Sequence, residues 1–157
     1  MKFTAGILAA FVAAARAAVL PDAFTLVADG GYTVLTDGTN AFIGADSNTH
    51  PILILKKNGD MLTYTAQGQP PTAFQNLYVI QNDVQPIALT VPHSGAAPQG
   101  ANFTGFGVND DGYFTFNGAP AFATDPAATG AKEIFYAGLP NSKYQQTMLW
   151  VKECKGC

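Results

Sequence analysis

Two histidines are the residues of this chain best suited by type to bind a metal, and each lies beside a proline in a polar stretch. His50 has Asp46 four positions before it, and His93 is followed directly by Ser94. A metal site needs a third ligand and fixed geometry, and a four-residue spacing in a loop fixes none. Ser94 and His93 resemble a nucleophile and its base, but such groups usually meet in space and not in sequence. We therefore predict no metal, no cofactor and two surface histidines.

The eleven carboxylates give few candidates for acid–base chemistry. Most glycosidases need two opposed carboxyl groups, one of them held protonated by burial. The chain has only two glutamates, and most of its aspartates stand beside Gly or Asn, where Asp typically forms a turn. We interpret Asp29, Asp37 and Asp111 in this way. Asp110 and Asp111 are the one adjacent acidic pair, and their context, GVNDDGYF, favours a hairpin turn over a catalytic pair, so we predict no catalytic residues.

The two cysteines, Cys154 and Cys157, form a C-x-x-C motif in the last four residues. In a thioredoxin-type site this motif opens a helix whose N-terminus lowers the pKa of the attacking thiol, and nothing follows Cys157 here. We therefore interpret the pair as a candidate disulfide of an exported protein. It either closes a small ring between Cys154 and Cys157 or links the chain to another molecule.

The first 17 residues have the pattern of a secretory signal peptide. Lys2 precedes an apolar run over residues 5–15, and the small residues Ala15 and Ala17 suit a signal peptidase. A membrane span needs about 20 consecutive apolar residues, so this run is too short to be one. We expect residues 1–17 to be removed and the protein to be secreted, either extracellular or in the cell wall. The alternative is an N-terminal helix of the domain.

Asn102-Phe103-Thr104 is an N-x-T sequon. In a chain that passes the secretory route, such a sequon makes Asn102 a candidate for N-glycosylation. The alternative is an unmodified N-x-T within a strand, and the sequence leaves both interpretations open.

The charge of the mature chain argues against nucleic acid as a partner. Without residues 1–17 it keeps six Lys, no Arg and eleven carboxylates, a net charge of −5. Phosphate neutralisation and base reading both depend on clusters of Lys and Arg. Roughly 140 residues suit one domain with one core. We therefore expect residues 18–157 to form a single all-β domain that ends in the C-x-x-C tail and has no transmembrane segment.

Residues 51–66, PILILKKNGDMLTYTA, have the clearest structural pattern in the chain, that of a β-hairpin. Asn58-Gly59 tolerates positive φ at both central positions of a type I′ turn, and apolar or β-branched runs flank it. The face that we expect to join the core then contains these cross-strand pairs: Lys57–Asp60, Leu55–Leu62 and Leu53–Tyr64.

The rest of the chain predicts short strands joined by tight turns. Gly and Pro are frequent, and D-G and N-G pairs recur between apolar runs. Residues 91–100 lack periodicity and predict a surface loop. An echo between residues 31–42 and 112–122 would suit two repeats of about 40 residues, as in a β-trefoil. We predict a single-domain β-barrel or sandwich of about 10–12 short antiparallel strands, with the trefoil as the alternative.

Aromatic residues are numerous enough to form both a core and a sugar-stacking platform, with eleven Phe, six Tyr and one Trp. Alternation within the predicted strands favours the core for most of them. The candidates for either role are Tyr32, Phe42, Tyr64, Tyr78, Phe106, Tyr113, Phe114, Phe116, Phe122, Phe135, Tyr136 and Trp150.

Three segments and a C-terminal cysteine resemble a known family. The segments are residues 24–27 (FTLV), 111–126 (DGYFTFNGAPAFATDP) and 134–138 (IFYAG). They resemble the secreted fungal cell-wall proteins of the phialide (PhiA) type. Within that neighbourhood the chain is similar to the hypersensitive response-inducing elicitor proteins of plant-pathogenic ascomycetes such as the rice blast fungus. The resemblance implies a non-catalytic protein of the fungal wall or secretome that plant cells perceive, and it brings no catalytic residues to this chain.

Three functional hypotheses remain. The first is a secreted fungal effector or wall-associated protein that elicits plant defence by binding a plant cell-surface component or fungal wall polysaccharide. The second is a carbohydrate-active enzyme on wall glycans, suggested by export and by the carboxylate-bearing turns. The third is a lectin-like glycan-binding module, suggested by the possible trefoil and the aromatic residues.

Overall fold

The computed structural model describes residues 18–140 and 143–157, and the expected signal peptide of residues 1–17 lies outside them. The described residues form strands, turns and one 3-10 turn at Pro71–Ala73, which confirms the all-β class. The strands are β1 (Ala23–Ala28), β2 (Tyr32–Thr33), β3 (Leu35–Thr36), β4 (Ala41–Ile43), β5 (Leu55–Asn58), β6 (Met61–Tyr64), β7 (Gln75–Ile80), β8 (Gln85–Pro86), β9 (Ala88–Leu89), β10 (Ala101–Asn102), β11 (Phe106–Val108), β12 (Phe114–Phe116), β13 (Phe122–Thr124), β14 (Lys132–Glu133), β15 (Phe135–Tyr136), β16 (Gln145–Gln146) and β17 (Leu149–Glu153).

These strands assemble into four antiparallel sheets. The largest has the order β10-β7-β6-β5-β1-β17, with β2 attached to β1 and β9 attached to β7. A four-stranded sheet has the order β16-β13-β15-β8, a three-stranded sheet has the order β14-β4-β3, and β11 pairs with β12. Within residues 18–140 and 143–157 none of these sheets closes on itself, so the barrel expected as one alternative is wrong.

The described residues form 17 strands, not the predicted 10–12, because several extended runs change partner after two residues. β2 pairs with β1, whereas β3, one residue later, pairs with β4. In the same way β14 pairs with β4, and β15, after Ile134, pairs with β13. Each run therefore passes from one sheet to another. Strands this short offer few backbone groups at a sheet edge, which is a physical reason for the absence of closure.

The predicted hairpin is present as β5 and β6, but its register is wrong by two positions. The observed pairs are Lys56–Thr63, Lys57–Leu62 and Asn58–Met61. Gly59 and Asp60 therefore form the turn, and Gly59 has a φ of +61°, as at the first central position of a type II′ turn. A shift of two positions preserves both faces because side chains alternate with period two. The apolar side chains expected on the core face are accordingly buried, whereas Lys57 and Asp60, expected on the same face, are exposed; the buried ones are Leu53, Leu55, Leu62 and Tyr64.

Replacing Gly59 by valine should destabilise the protein by about 1–2 kcal/mol, because a residue with a Cβ resists the left-handed region. A Cβ at this position would meet no other atom within 4 Å, so the cost is backbone strain and not a clash. Thermal unfolding measures the effect, at about 2–4 °C per kcal/mol for a chain of this size. Gly95→Val is the matched control, since Gly95 is also in open space but has no positive φ. Equal melting temperatures for Gly59→Val and the wild type would contradict the turn assignment.

An aromatic cluster forms the centre of the core. The ring centroid of Phe114 in β12 lies 5.5 Å from that of Phe106 in β11 and 5.3 Å from that of Phe122 in β13. Phe24 of β1 lies 6.1 Å from Phe114 on another side. Phe24, Phe114 and Phe122 belong to three different sheets, so this cluster holds those sheets together.

The first and last strands pair along five residues and lie side by side in the largest sheet. Phe24 is opposite Glu153 at one end of the ladder, and Ala28 is opposite Leu149 at the other. Because side chains alternate across a strand, Leu149 points into the core with Ala28, while Trp150 shares the outer face with Val27. This outer face contains part of the candidate site.

Candidate functional site

His50 is held by its sequence neighbours. Its ring Nδ1 lies 2.9 Å from the Thr49 hydroxyl, and its ring meets that of Phe42 edge-on at 5.5 Å between centroids. The backbone N–H of His50 donates to the carbonyl of Asp46 at 2.9 Å, whereas the Asp46 carboxylate accepts a bond from the backbone N–H of Asn48. The four-residue spacing thus forms a turn. Within the described residues no group of three or more His, Cys, Asp and Glu side chains is arranged to hold a metal ion.

His93 and Ser94 lie in the predicted surface loop and do not form a nucleophile–base pair. The Ser94 hydroxyl accepts a hydrogen bond from the backbone N–H of Ala96 at 3.1 Å and so supports a turn. His93 has a φ of +60°, in the left-handed region that His tolerates better than most residues. Both residues border a cavity of about 330 Å³ that also contains Asn76, whose buried Oδ1 lacks a hydrogen-bond partner in the described structure.

The aspartates hold turns, as their sequence context predicts. Oδ1 of Asp37 accepts hydrogen bonds from the backbone N–H groups two and three residues further on, both at 2.8 Å. Asp110 and Asp111 occupy the centre of a turn that is closed by the Gly112 N–H and the Asn109 carbonyl at 3.0 Å. Both of these carboxylates are exposed.

Asp125 combines a turn with an ion pair. Its Oδ1 accepts a bond from the Ala127 N–H at 2.9 Å, and its Oδ2 lies 3.4 Å from Nζ of Lys143. The Ala127 N–H, followed by Lys143 and by the charge of Lys132, holds the pKa of Asp125 below its usual range. Pairing with Asp125 in turn raises the pKa of Lys143. The ammonium group of Lys132 is therefore close enough to the Asp125 carboxylate to lower its pKa.

Cys154 and Cys157 are joined as a disulfide, with their Cα atoms 5.7 Å apart. Of the two arrangements expected for the pair, the structure has the small ring between Cys154 and Cys157. The backbone N–H of Cys154 donates to the carbonyl of Ala23 at 2.9 Å, so the ring begins where β17 leaves β1.

Asn102 ends β10 and is half-buried. Its Nδ2 donates to Oε1 of Gln81 at 2.8 Å, and its Oδ1 accepts bonds from the backbone N–H and the hydroxyl of Thr104. The sequon therefore lies at the edge of the largest sheet and makes its own turn, and glycosylation of Asn102 remains a prediction.

The exposed Trp150 and the half-buried Tyr113 form an aromatic pair, which we call the aromatic platform. Their ring centroids are 4.4 Å apart, and Trp150 is 46% exposed. A backbone bridge links the two residues, and the Val151 N–H donates to the Gly112 carbonyl at 3.0 Å. These bonds fix the loop of Tyr113 against β17. The platform is therefore an ordered aromatic surface of the kind that packs against a ring-shaped ligand.

Other tyrosines of the chain are packing residues. Burial raises the pKa of Tyr64, Tyr78 and Tyr136, so that their phenols stay uncharged. The ring of Tyr136 packs against that of Phe116 at 5.0 Å between centroids. Of the twelve aromatic candidates, the core contains six: Tyr64, Phe114, Phe116, Phe122 and Tyr136 are buried in it, and Phe106 packs against it.

A cleft of about 450 Å³, which we call the polar cleft, opens where three of the four sheets meet. Its walls come from the β1–β2 turn, from β4 and β14, and from β13 and β16. A Cβ on Gly44 would lie 3.3 Å from the carbonyl oxygen of Gly130, so two backbones approach closely at this wall. Its exposed or half-buried polar side chains are Asp29, Tyr32, Lys132, Gln145 and Gln146.

Two polar groups of this cleft are positioned by hydrogen bonds. Oδ2 of Asp29 accepts a bond from the backbone N–H of Met148 at 2.8 Å, and Nε2 of Gln146 donates to the Pro120 carbonyl at 3.1 Å. Oδ1 of Asp29 and Oε1 of Gln146 accept no hydrogen bond from the described part of the chain. The cleft therefore presents oriented acceptors together with the ammonium group of Lys132.

Sequence reasoning identified part of this site. Asp29 is the turn former that it predicted, and Tyr32 and Trp150 were among its candidates for a platform. It missed Lys132, Gln145 and Gln146, because these residues meet only through the β4–β14 and β13–β16 pairings. The consecutive glutamines shortly before the strand that begins at Leu149 were the one available signal.

Comparison with known proteins gives no match, whether to a protein-family model, a curated protein or a solved structure. In residues 18–140 and 143–157 there is also no helix with the length and apolar character to cross a membrane. The aromatic platform and the polar cleft are therefore the features of the described residues that bear on function.

Proposed function

We propose that this protein is a secreted, fungal wall-associated effector that binds through its surface, performs no catalysis and is perceived by plant cells as an elicitor of defence. The observation that carries the proposal is the aromatic platform, because an ordered, half-exposed Trp150 on a sheet is suited to contact and not to bond breaking. The turn-forming roles of Asp37, Asp110 and Asp111 support it as well. The partner is a plant cell-surface component or a fungal wall polysaccharide.

Infiltration of the pure secreted protein into plant leaf should trigger cell death and ion leakage. A variant with alanine at His50, His93, Asp110 and Asp111 should give the same response at the same concentration. None of these four side chains is part of the aromatic platform. Loss of the response in this variant, with an unchanged melting temperature, would contradict the proposal. Release of reducing sugar from chitin or glucan by the pure protein would favour a carbohydrate-active enzyme instead.

The aromatic platform also favours a second candidate, a lectin-like glycan-binding module. Trp150 and Tyr113 offer apolar ring faces, and hydroxyl-rich ligands of cell walls have apolar ring faces of their own. The acidic charge of the mature chain, −5, suits a neutral glycan better than a phosphate-bearing partner. Pull-down on insoluble wall polysaccharide separates this candidate from recognition by a plant protein.

For the fold, we propose a sandwich-like arrangement of the sheets, with the β-trefoil as the alternative. Support comes from the contact of Phe24 in the largest sheet with Phe114, and of Phe114 with Phe122, which belong to two smaller sheets. Side chains that meet between sheets in this manner form the core of sandwiches.

A further inference from the structure

We propose that the polar cleft binds one ring of a neutral polysaccharide chain and that the aromatic platform stacks on another ring of the same chain. This inference rests on the glycan-binding candidate above and assigns the residues and the ligand class to it. The ligand is defined by its chemistry, a polymer of uncharged pyranose rings with neighbouring hydroxyl groups.

The hydrogen-bonding groups of the cleft match neighbouring hydroxyls, which both donate and accept. Asp29 and Gln146 each keep an oxygen that accepts, and Lys132 donates. Gln145 supplies both a carbonyl and an amide, and no protein group in the described residues hydrogen-bonds to its side chain. Two fixed acceptors and two further polar side chains around one cleft suit a ligand with several hydroxyls.

The charge of the cleft selects a neutral ligand. The Asp29 carboxylate and the Lys132 ammonium group are its charged side chains, one of each sign. Asp125, whose pKa is lowered in part by Lys132, lies nearby and is itself paired with Lys143, so this pair adds no net charge. The carboxylate of Asp29 would repel a chain of phosphates or uronates, and the ammonium group of Lys132 would repel a polycation.

The cleft also contains an aromatic surface of its own. Tyr32 is 55% exposed although its backbone is paired with Ala28 of β1. An aromatic side chain fixed at its backbone and open to solvent provides contact area at low cost in conformational entropy. Tyr32 is therefore positioned to cover the apolar face of a ring held by the glutamines.

The cleft and the platform are close enough for one chain. Gln146 of the cleft and Trp150 of the platform are four residues apart, a span of at most about 14 Å. Asp29 directly follows Ala28 of β1, whose partner Leu149 is the sequence neighbour of Trp150. The Asp29 bond to Met148 fixes the segment between the two sites. A short oligosaccharide along this face therefore reaches both.

The test is calorimetric titration of the full secreted chain with four soluble probes. Oligomers of β-1,3-glucan and of N-acetylglucosamine represent fungal walls, oligomers of β-1,4-glucan represent plant walls, and oligogalacturonate is the anionic comparison. We expect at least one neutral oligomer to bind and oligogalacturonate not to bind. Tyr32→Ala, Gln145→Ala and Trp150→Ala should each weaken binding by about tenfold or more, which corresponds to about 1.4 kcal/mol.

Two exposed positions away from the site give matched controls. Phe74→Ala and Gln69→Ala remove an aromatic and an amide side chain and should leave binding within about twofold. Binding of no neutral oligomer, or equal binding by the cleft variants and the wild type, would overturn the inference. The leaf assay distinguishes the two proposals. If the wild-type protein triggers the leaf response but binds no glycan, only the inference is overturned. If the wild-type protein neither triggers the leaf response nor binds a glycan, the proposed function is overturned too.

Discussion

The Phe114→Ala variant should lose about 3–5 kcal/mol of unfolding free energy, as large aromatic truncations in a core do. Phe114 is fully buried, and its ring packs against three other phenylalanine rings from three different strands. Relaxation around the cavity is restricted because those rings come from separate sheets. Denaturant titration should show a lower midpoint with an unchanged slope, since the surface exposed on unfolding stays similar.

Two comparisons make this result specific to the core position. Phe74→Ala removes the same atoms from a side chain that is 40% exposed, and it should cost less, about 1–2 kcal/mol. Phe114→Leu keeps much of the volume and should lie between the two. A loss below about 1 kcal/mol for Phe114→Ala would contradict the placement of this ring at the junction of the sheets.

Gln75→Leu should also be strongly destabilising, although leucine is apolar and the position is buried. Nε2 of Gln75 donates to the Gly38 carbonyl at 2.7 Å and to the Thr90 carbonyl at 2.5 Å. Leucine cannot donate, so each carbonyl that stays buried costs about 1–3 kcal/mol. Thermal unfolding measures the loss, and amide exchange of β7 and β9 should quicken locally.

Substitution by glutamate separates hydrogen bonding from packing. Gln75→Glu keeps the shape but places an acceptor beside two carbonyls, so it should destabilise as well. Gln69→Leu, at an exposed position, should have little effect. Wild-type stability in Gln75→Leu would show that these two hydrogen bonds do not support the fold.

The faces of the strands were predictable, but the partners were not. Period-two alternation placed Leu53, Leu55 and Leu62 in the core before any pairing was known. The position of the turn between β5 and β6 was harder to predict, because Asn58-Gly59 and Gly59-Asp60 are both acceptable turn dipeptides. The choice between them depends on how β6 continues into its pairing with β7, where Thr63 is opposite Asn76. Such long-range pairing leaves no local signal.

The candidate site was predictable only where it contains local chemistry. Asp29 precedes two glycines and thus marks a turn, but its bond to Met148 joins residues far apart in sequence. Lys132 and Gln145 carry no motif, and they line one cleft because β14 and β16 belong to different sheets that meet there. Sequence analysis therefore found the exposed aromatic residues and missed the polar groups beside them.

The pairing of β1 with β17 has a consequence for biosynthesis. While the ribosome is still translating the middle of the chain, β1 lacks its neighbour β17 on one side, because β17 follows all the other described strands in sequence. The nascent polypeptide therefore stays incompletely folded until Leu149–Glu153 emerges. Chains that stop early expose the hydrogen-bonding edge of β1, and such edges pair readily with other molecules and aggregate.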